Sequence, residues 1–240
     1  MNNLNMGFQG KNAVVTGGTG AIGSIVVQHF FEAGANLALP VHTQRHLSSI
    51  TERLVGFRLH AAVTDLAAEE DVAKFVDQVK SKFGGIDYLV NIAGGYAGGK
   101  LIEDVSMDEW KSMMSTNLRS AFLMCRACLK PMRSQNFGRI VNIAAMPALT
   151  SGMKKGAYAI SKRGVIALTE TIADEVKGSG ITANAIAPSI VLTEANKQSM
   201  PTADFKKWVT PEEIARLIMY LCSEDARSIS GNTIKIYGGV

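Results

Sequence analysis

The fold is decided by residues 13–23, which read AVVTGGTGAIG. An apolar run ends here in a glycine-rich loop, and the loop leads into an apolar stretch with helical spacing. Glycines allow a tight turn and a close ligand approach, and a helix N-terminus offers free N–H groups to an anion. The spacing of Gly18, Gly20 and Gly23 matches a dinucleotide-binding loop and predicts a pyrophosphate site after the first strand. A tight strand-to-helix turn that binds nothing is the alternative.

Outward from this loop, short apolar runs alternate with longer helical patterns. The predicted strands are Asn12–Thr16, Asn36–Val41, Phe57–Ala62, Ile86–Asn91, Arg139–Ala144, Thr182–Ala187 and Thr233–Tyr237. The predicted helices are Gly23–Ala33, Ala67–Phe83, Met107–Lys130, Ala157–Lys177 and Pro211–Leu221. Strands that are apolar throughout are buried on both faces, so the alternation predicts an α/β fold: a doubly wound parallel sheet (Rossmann fold) of about seven strands, with helices on both faces. We expect a single domain over residues 1–240.

Composition excludes several classes of function. The net charge of +4 is small and the basic residues are scattered, so we expect no nucleic-acid partner. No apolar run approaches the ~20 residues that cross a bilayer, so we expect no membrane association. The start of the chain lacks the order of a secretory signal, and three cysteines are an odd number. Both features predict a reducing, cytoplasmic location.

Two residue types that often build reactive sites do not do so here. Cys125 and Cys128 form a C-x-x-C pair, but they lie in an apolar helical stretch, which favours buried helix residues over a redox pair. The four histidines show no metal-ligand spacing with one another. We therefore predict no metal site.

Tyr158 and Lys162 are four residues apart in a helical pattern and therefore lie on one face, one turn apart. A phenol has a pKa of ~10, and a neighbouring ammonium favours the phenolate and lowers that pKa. The pair therefore predicts a tyrosine acting as general acid and base. A plain surface pair is the alternative when the spacing is taken alone.

Further motifs follow in order along nearly the whole chain. They are Asp65-Leu66, Asn91-Ile92-Ala93-Gly94, Asn117-Leu118, the Tyr158/Lys162 pair, and Pro188 to Thr193. Together with the loop at 16–23, this order resembles the compact branch of the short-chain dehydrogenase/reductase family. The resemblance implies an NAD(P)-dependent enzyme that moves a hydride between nicotinamide and the carbonyl or hydroxyl group of a small-molecule substrate.

The resemblance also implies individual roles. Tyr158 would exchange the proton with the substrate oxygen, Lys162 would bind the nicotinamide ribose and lower the tyrosine pKa, and Asn117 would hold a water of the proton relay. The predicted cofactor contacts are Gly17, Thr19, Gly20, Ala21, Ile22, Gly23, His42, Asp65, Leu66, Asn91, Ala93, Gly94, Tyr158, Lys162, Pro188, Ile190 and Thr193.

The end of the second predicted strand bears on the choice of cofactor. An acidic residue that would hold the adenosine ribose is absent there, and His42 and Arg45 follow the strand. A carboxylate would repel a 2′-phosphate, and either basic side chain could pair with it. We therefore favour NADP(H) slightly over NAD(H).

The chain departs from the family at Ala145, where the usual serine donates a hydrogen bond to the reacting oxygen. Three explanations stay open. Thr150 or Ser151 replaces the donor; the enzyme works through Tyr158 alone, slowly or on an activated substrate; or the chain binds nucleotide with little catalysis and is a regulatory or scaffold protein. With Ile92 and Ser189 also unusual, the sequence predicts a divergent member.

The substrate side is predicted from position and side-chain size. We expect the pocket to be lined by Ala145, Met146, Tyr96 and Trp208, and a lid to span residues around 190–208. The resemblance further implies a homo-oligomer, a dimer or tetramer. Its subunits would pack through part of an apolar set that comprises Met113, Leu118, Phe122, Ile166 and Leu168.

Overall fold

A computed structural model describes residues 7–54, 56–150 and 152–240. These residues form one seven-stranded sheet with the order β3-β2-β1-β4-β5-β6-β7. Every neighbouring pair is parallel. The strands are β1 (Asn12–Thr16), β2 (Asn36–Val41), β3 (Leu59–Val63), β4 (Tyr88–Asn91), β5 (Gly138–Ile143), β6 (Ile181–Pro188) and β7 (Thr233–Ile236). The predicted doubly wound parallel sheet is confirmed.

Helices connect the strands. They are α1 (Ala21–Glu32), α2 (Gln44–Arg53), α3 (Glu69–Phe83), α4 (Met107–Met113), α5 (Ser120–Gln135), α6 (Pro147–Thr150), α7 (Gly156–Glu175), α8 (Glu194–Ser199) and α9 (Pro211–Cys222). The sequence did not predict α2, α6 and α8. The first is polar apart from a few residues, and the other two are too short to show a helical period.

Two hydrophobic cores lie on opposite faces of the sheet. One packs α1, α2 and α9 against it, with Phe30 and Ile218 among the buried side chains. The other packs α3, α5 and α7, and it contains Cys125 and Cys128. Both cysteines are free thiols, and burial raises their pKa. The interpretation of this pair as buried helix residues is therefore confirmed.

Some predicted boundaries were wrong. Strand β3 begins at Leu59 because Phe57, 86% exposed, lies in the preceding turn rather than in the sheet. The single helix predicted over Met107–Lys130 is divided: a π-helical segment at Met114–Arg119 separates α4 from α5. The wider turn interrupts the regular 3.6-residue period, and such segments often mark functional sites. Asn117, buried, lies within it.

Residues 190–208 follow β6 and form a loop whose two ends are paired with each other. The Leu192 N–H donates to the Val209 carbonyl at 2.7 Å, and the Val209 N–H donates to the Ile190 carbonyl at 3.0 Å. Between these points lie α8 and a short 3₁₀ turn at Phe205–Lys207. The segment predicted as a lid is therefore a loop whose two ends are hydrogen-bonded to each other.

Within the described ranges, no helix is both long enough and apolar enough to span a membrane. The same part of the chain brings no three His, Cys, Asp or Glu side chains together as a metal site.

Candidate active site

The strand order reverses beside β1. Strands β2 and β3 lie on one side of β1, and the chain then crosses over so that β4 pairs with β1 on its other side. Ligands of such sheets bind at this point, beyond the carboxyl ends of the strands. A cleft of about 570 Å³ opens there. Among the predicted cofactor contacts, its lining includes Gly17, Thr19, Gly20, Ala21, Ile22, Gly23, His42, Asp65, Leu66, Ala93, Gly94 and Thr193.

The glycine loop forms the floor of this cleft, and two of its glycines allow no side chain. Gly17 has φ +69°, and a Cβ there would lie 2.8 Å from the Ala93 nitrogen. A Cβ on Gly23 would collide with the Gly17 carbonyl. Gly20 is the N-cap of α1 and has no side chain to accept the first N–H groups of the helix. The loop therefore leaves a positively polarised helix end open to the cleft, as a pyrophosphate requires.

Thr16, the last residue of β1, holds the opposite wall. Its Oγ1 accepts hydrogen bonds from the N–H groups of Ile92 and Ala93, each at 3.1 Å. These bonds fix the chain as it leaves β4, so that Ala93 and Gly94 face the cleft. Thr16 was not among the predicted site residues. A residue with a hydroxyl group at the end of a buried strand could have indicated this role in the sequence.

Asn91 was predicted to contact the cofactor, but its side chain lies within the sheet. Its Nδ2 donates to Asn142 Oδ1 at 2.8 Å, and Asn142 in turn donates to Thr169 Oγ1 at 2.9 Å on α7. This buried chain of bonds links β4, β5 and α7. The amide is outside the cleft lining and joins these elements, and the contact of Asn91 with the cofactor stays a prediction.

Asn117 joins the loop after β4 to α7. Its Oδ1 accepts from the Gly95 N–H at 2.8 Å, and its Nδ2 donates to the Gly95 carbonyl at 3.1 Å and to Ser161 Oγ at 3.0 Å. Ser161 donates onward to the Tyr158 carbonyl at 2.8 Å. The side-chain NH₂ thus donates two hydrogen bonds to protein groups, and the amide oxygen accepts one. The predicted water contact of Asn117 stays a prediction.

Lys162 meets the cleft at Gly94. Its Nζ donates to the Ile143 carbonyl at 2.7 Å, and a Cβ placed on Gly94 would lie 3.1 Å from the same nitrogen. Burial lowers the pKa of Lys162 to about 8. Helix α7 thereby brings its lysine to the edge of the dinucleotide cleft.

The predicted lowering of the Tyr158 pKa by Lys162 was wrong for this structure. Burial, followed by the neighbouring Tyr96, raises the pKa of Tyr158 to about 12. The Lys162 ammonium is drawn instead to the Ile143 carbonyl. Tyr158 is therefore a neutral phenol at neutral pH, which is the form that can donate a proton.

The end of β5 has no hydroxyl. Ala144 and Ala145 follow the strand and are buried. Thr150 is exposed, and its hydroxyl donates to the Met146 carbonyl at 3.1 Å within α6. The other replacement considered, Ser151, lies outside the described residues.

The remaining predicted pocket residues differ in their exposure to solvent. Tyr96 is 63% exposed and packs edge-on against Tyr158, with 4.9 Å between ring centroids. Met146 is half-buried, and its N–H donates to the Pro188 carbonyl at 2.8 Å. Trp208 is only 5% exposed and packs against Phe205 at the base of the 190–208 segment. This burial favours a packing role for Trp208, and its contact with substrate stays a prediction.

The carboxyl end of β2 carries two histidines on the cleft. His42 and His46 both line it, and His46 Nδ1 is buried with no hydrogen-bond partner in the described part of the chain. Arg45 is exposed beside them, outside the lining. His46 was missed because α2, which carries it, was not predicted.

Comparisons with known proteins agree with this geometry. Residues 17–240 match the family model described as Enoyl-(Acyl carrier protein) reductase. The chain is 32% identical to D-beta-hydroxybutyrate dehydrogenase of Rhizobium meliloti (strain 1021), covering 95% of this chain and 98% of the relative. It is 30% identical to 3-oxoacyl-[acyl-carrier-protein] reductase FabG of Aquifex aeolicus (strain VF5), covering 97% and 98%.

A solved structure described as ElxO with NADP bound has a TM-score of 0.89 and 27% identity, covering 95% of this chain and 98% of that one. The sequence relatives are named as a dehydrogenase and a reductase. Matched over almost its whole length and carrying the cleft described above, the protein is an NAD(P)-dependent oxidoreductase of the short-chain dehydrogenase/reductase family.

Proposed function

We propose that this protein reduces a carbonyl group of a small molecule with NADPH, and catalyses the reverse oxidation, with Tyr158 as the general acid and base. The observation that carries the proposal is the junction at Gly94. Gly94 lines the dinucleotide cleft, and Lys162 Nζ, one helical turn from Tyr158, approaches it closely. Helix α7, which carries Tyr158, therefore reaches the cofactor cleft at Gly94.

The residues of the cleft fit a dinucleotide. Gly17 and Gly23 leave the space in which a pyrophosphate can approach the N-terminus of α1, and Asp65 and Leu66 line the part of the cleft beyond β3. A nicotinamide ring held near Gly94 and Thr193 would supply or accept the hydride. The task of the protein is then to orient the reactants and to move one proton.

The proton chemistry follows from the burial of Tyr158. A neutral phenol gives its proton to the substrate oxygen as negative charge develops there. Lys162, charged below a pKa of about 8, holds its ammonium on the Ile143 carbonyl beside Gly94, where it adds positive charge at the edge of the cofactor cleft. Asn117 keeps the loop at Gly95 and helix α7 in register, so the tyrosine stays beside the cleft.

The test is a panel of carbonyl and alcohol substrates followed by nicotinamide absorbance. It begins with 3-oxoacyl and 3-hydroxybutyrate-type compounds because two relatives carry names of that class. We expect turnover that falls by about a thousandfold or more in Tyr158→Phe while NADPH affinity is retained. A variant as active as the wild type would remove Tyr158 from the mechanism.

Ala145 places the protein, in this proposal, among divergent members without the usual serine. The alternative of a nucleotide-binding protein with little catalysis rests on Ala145 alone, and the relatives described above, which are named for their reactions, give it no support. Tight NADPH binding without turnover on a broad panel would revive it.

The preference for NADP(H) is part of the proposal. His42, His46 and the N-terminus of α2 surround the end of β2, where no carboxylate would repel a 2′-phosphate. Arg45 stands next to them. We expect the Kd for NADPH to lie below that for NADH, and His42→Ala to narrow the difference. Equal affinities would contradict the preference.

We also propose a cytoplasmic homotetramer. An apolar groove on α4, α5, α7 and the π-helical segment is lined by Trp110, Met114, Leu118, Phe122 and Leu168, and Phe122 is 43% exposed. Met113 and Ile166, also considered for this contact, are buried inside the subunit. Light scattering that finds a monomer at micromolar concentration would contradict the assembly.

A further inference from the structure

A carbonyl oxygen that gains negative charge during reduction is stabilised by hydrogen-bond donors aimed at it, and Tyr158 supplies one. In the described part of the chain, two hydroxyls on α6 and α7 are engaged with backbone carbonyls. Ser161, fully buried, donates to the Tyr158 carbonyl, and Thr150 donates to the Met146 carbonyl. Ala145 has no hydroxyl to donate, so among the described residues a second donor has to come from another element.

Tyr96 is in the right place. Its ring meets the ring of Tyr158 at 77° with 4.9 Å between centroids, and its hydroxyl makes no hydrogen bond within the described ranges. Most of the Tyr96 side chain is exposed to solvent and so is accessible to a substrate. A free phenol therefore stands beside the proposed acid.

The loop around Tyr96 is held on both sides. Before it, Asn117 binds both the N–H and the carbonyl of Gly95. After it, the Gly99 N–H donates to the Lys154 carbonyl at 2.7 Å, and a Cβ on Gly98 would lie 2.5 Å from the Tyr96 hydroxyl oxygen. The glycines thus leave space that the tyrosine occupies, and the anchors fix where its ring points.

We propose that Tyr96 donates the second hydrogen bond to the reacting oxygen of the substrate, in the role that a hydroxyl after β5 would otherwise fill. The inference rests on the proposed function. The substrate carbon receives the hydride and its oxygen receives the proton of Tyr158, while Tyr96 keeps its own proton and no bond to it breaks. Tyr96 also helps to keep Tyr158 protonated, which suits a donor.

The experiment compares Tyr96→Phe, Ala145→Ser and the double variant by steady-state kinetics with NADPH and the best substrate of the panel. Tyr96→Phe keeps the ring and removes only the hydroxyl, so we expect kcat to fall by about 10- to 100-fold, somewhat less than for a fully enclosed oxyanion donor because the site is open to water. KM should change little. Ala145→Ser in the Tyr96→Phe background should restore most of the lost kcat.

Tyr220→Phe is the matched control, since Tyr220 is another partly exposed tyrosine, on α9, and should leave the kinetics unchanged. A raised KM with unchanged kcat in Tyr96→Phe, or a double variant no faster than the single one, overturns the inference. The inference is also overturned if Ser151→Ala lowers kcat while Tyr96→Phe does not.

The two proposals fail in different ways. Activity lost in Tyr158→Phe but untouched in Tyr96→Phe overturns the role of Tyr96 alone. Activity that survives Tyr158→Phe, or a wild-type protein without turnover, overturns the proposed function and the role of Tyr96 with it.

Discussion

The two sides of the active site are built in different ways. The cofactor side consists largely of backbone: the glycine loop, the N-terminus of α1 and the chain leaving β4. The proposed substrate side consists of side chains from separate elements, with Tyr96 after β4, Ala145 after β5 and Tyr158 on α7. Asn117 joins the two sides through Gly95 and Ser161.

The difference has a physical reason. A pyrophosphate presents the same oxygens in every dinucleotide, so a fixed loop of N–H groups can serve it. Substrates differ in shape and polarity, and specificity comes from the few side chains that contact them. A change on the cofactor side should therefore affect binding, whereas a change on the substrate side should affect turnover.

The largest effect is expected from Gly17→Ala. The new Cβ would lie 2.8 Å from the Ala93 nitrogen at a φ of +69°, so the loop and the wall of the cleft must separate. We expect NADPH affinity to fall by about 100-fold or more, equivalent to about 3 kcal/mol. Titration of cofactor fluorescence measures it.

Gly84→Ala is the matched control for that loop. Gly84 has φ +83° at the end of α3, and no atom would lie within 4 Å of its Cβ. We expect a loss of about 1 kcal/mol in stability with cofactor affinity unchanged. An equal loss of affinity in the two variants would show that general destabilisation, rather than the contact with Ala93, is responsible.

An intermediate effect is expected from Asn117→Ala, which removes the connection between the two sides. Leaving the Gly95 groups and Ser161 without their partner should cost about 2–4 kcal/mol in the free energy of unfolding and about 10-fold in kcat. Urea unfolding and steady-state kinetics measure the two quantities.

Asn184→Ala gives a comparison at a distance from the cleft. Asn184 is buried in β6 and makes two similar bonds, with the Ile229 carbonyl and the Asn232 N–H. The Asn184→Ala variant should lose about as much stability as Asn117→Ala, and its kcat should stay unchanged. If both variants lose kcat alike, Asn117 does not couple the two sides in any special way.

An effect on stability of opposite sign, smaller than that of Asn117→Ala, is expected from Lys162→Met. The ammonium is buried, and its pKa falls from 10.5 to about 8. This shift corresponds to a cost of about 3 kcal/mol for burying the charge at pH 7. Methionine removes that cost but also loses the hydrogen bond to the Ile143 carbonyl. We therefore expect a net gain of about 1–2 kcal/mol in stability at pH 7, together with a large loss of activity.

The pH dependence provides a second check. Between about pH 8 and 10 the folded protein releases the Lys162 proton while the unfolded chain keeps it, so wild-type stability should receive a rising contribution from this residue that Lys162→Met lacks. Urea unfolding at pH 7 and pH 9.5 measures it, with the exposed Lys74→Met as control. A difference between wild type and Lys162→Met that stays constant with pH would rule out a buried charge as the cause.

Much of the cofactor side could be predicted from local sequence. The loop at 16–23 and the residues after β3 and β4 were expected at the cleft, and most of them line it. The position of His46 on the cleft was not foreseen because α2 was not predicted: its few apolar residues, among them Ile50, stand among many polar ones. Asn91 was placed in the cleft on the strength of a motif, whereas its amide turns into the sheet toward Asn142.

The sequence by itself determined the alternation of strands and helices, the glycine loop and the spacing of Tyr158 and Lys162, because each depends on neighbours within a few residues. Only the tertiary structure decided that burial raises the Tyr158 pKa, that Lys162 turns to Ile143, and that Tyr96 lies against Tyr158. These outcomes depend on desolvation and on contacts between residues far apart in the chain, and neither is written in local spacing.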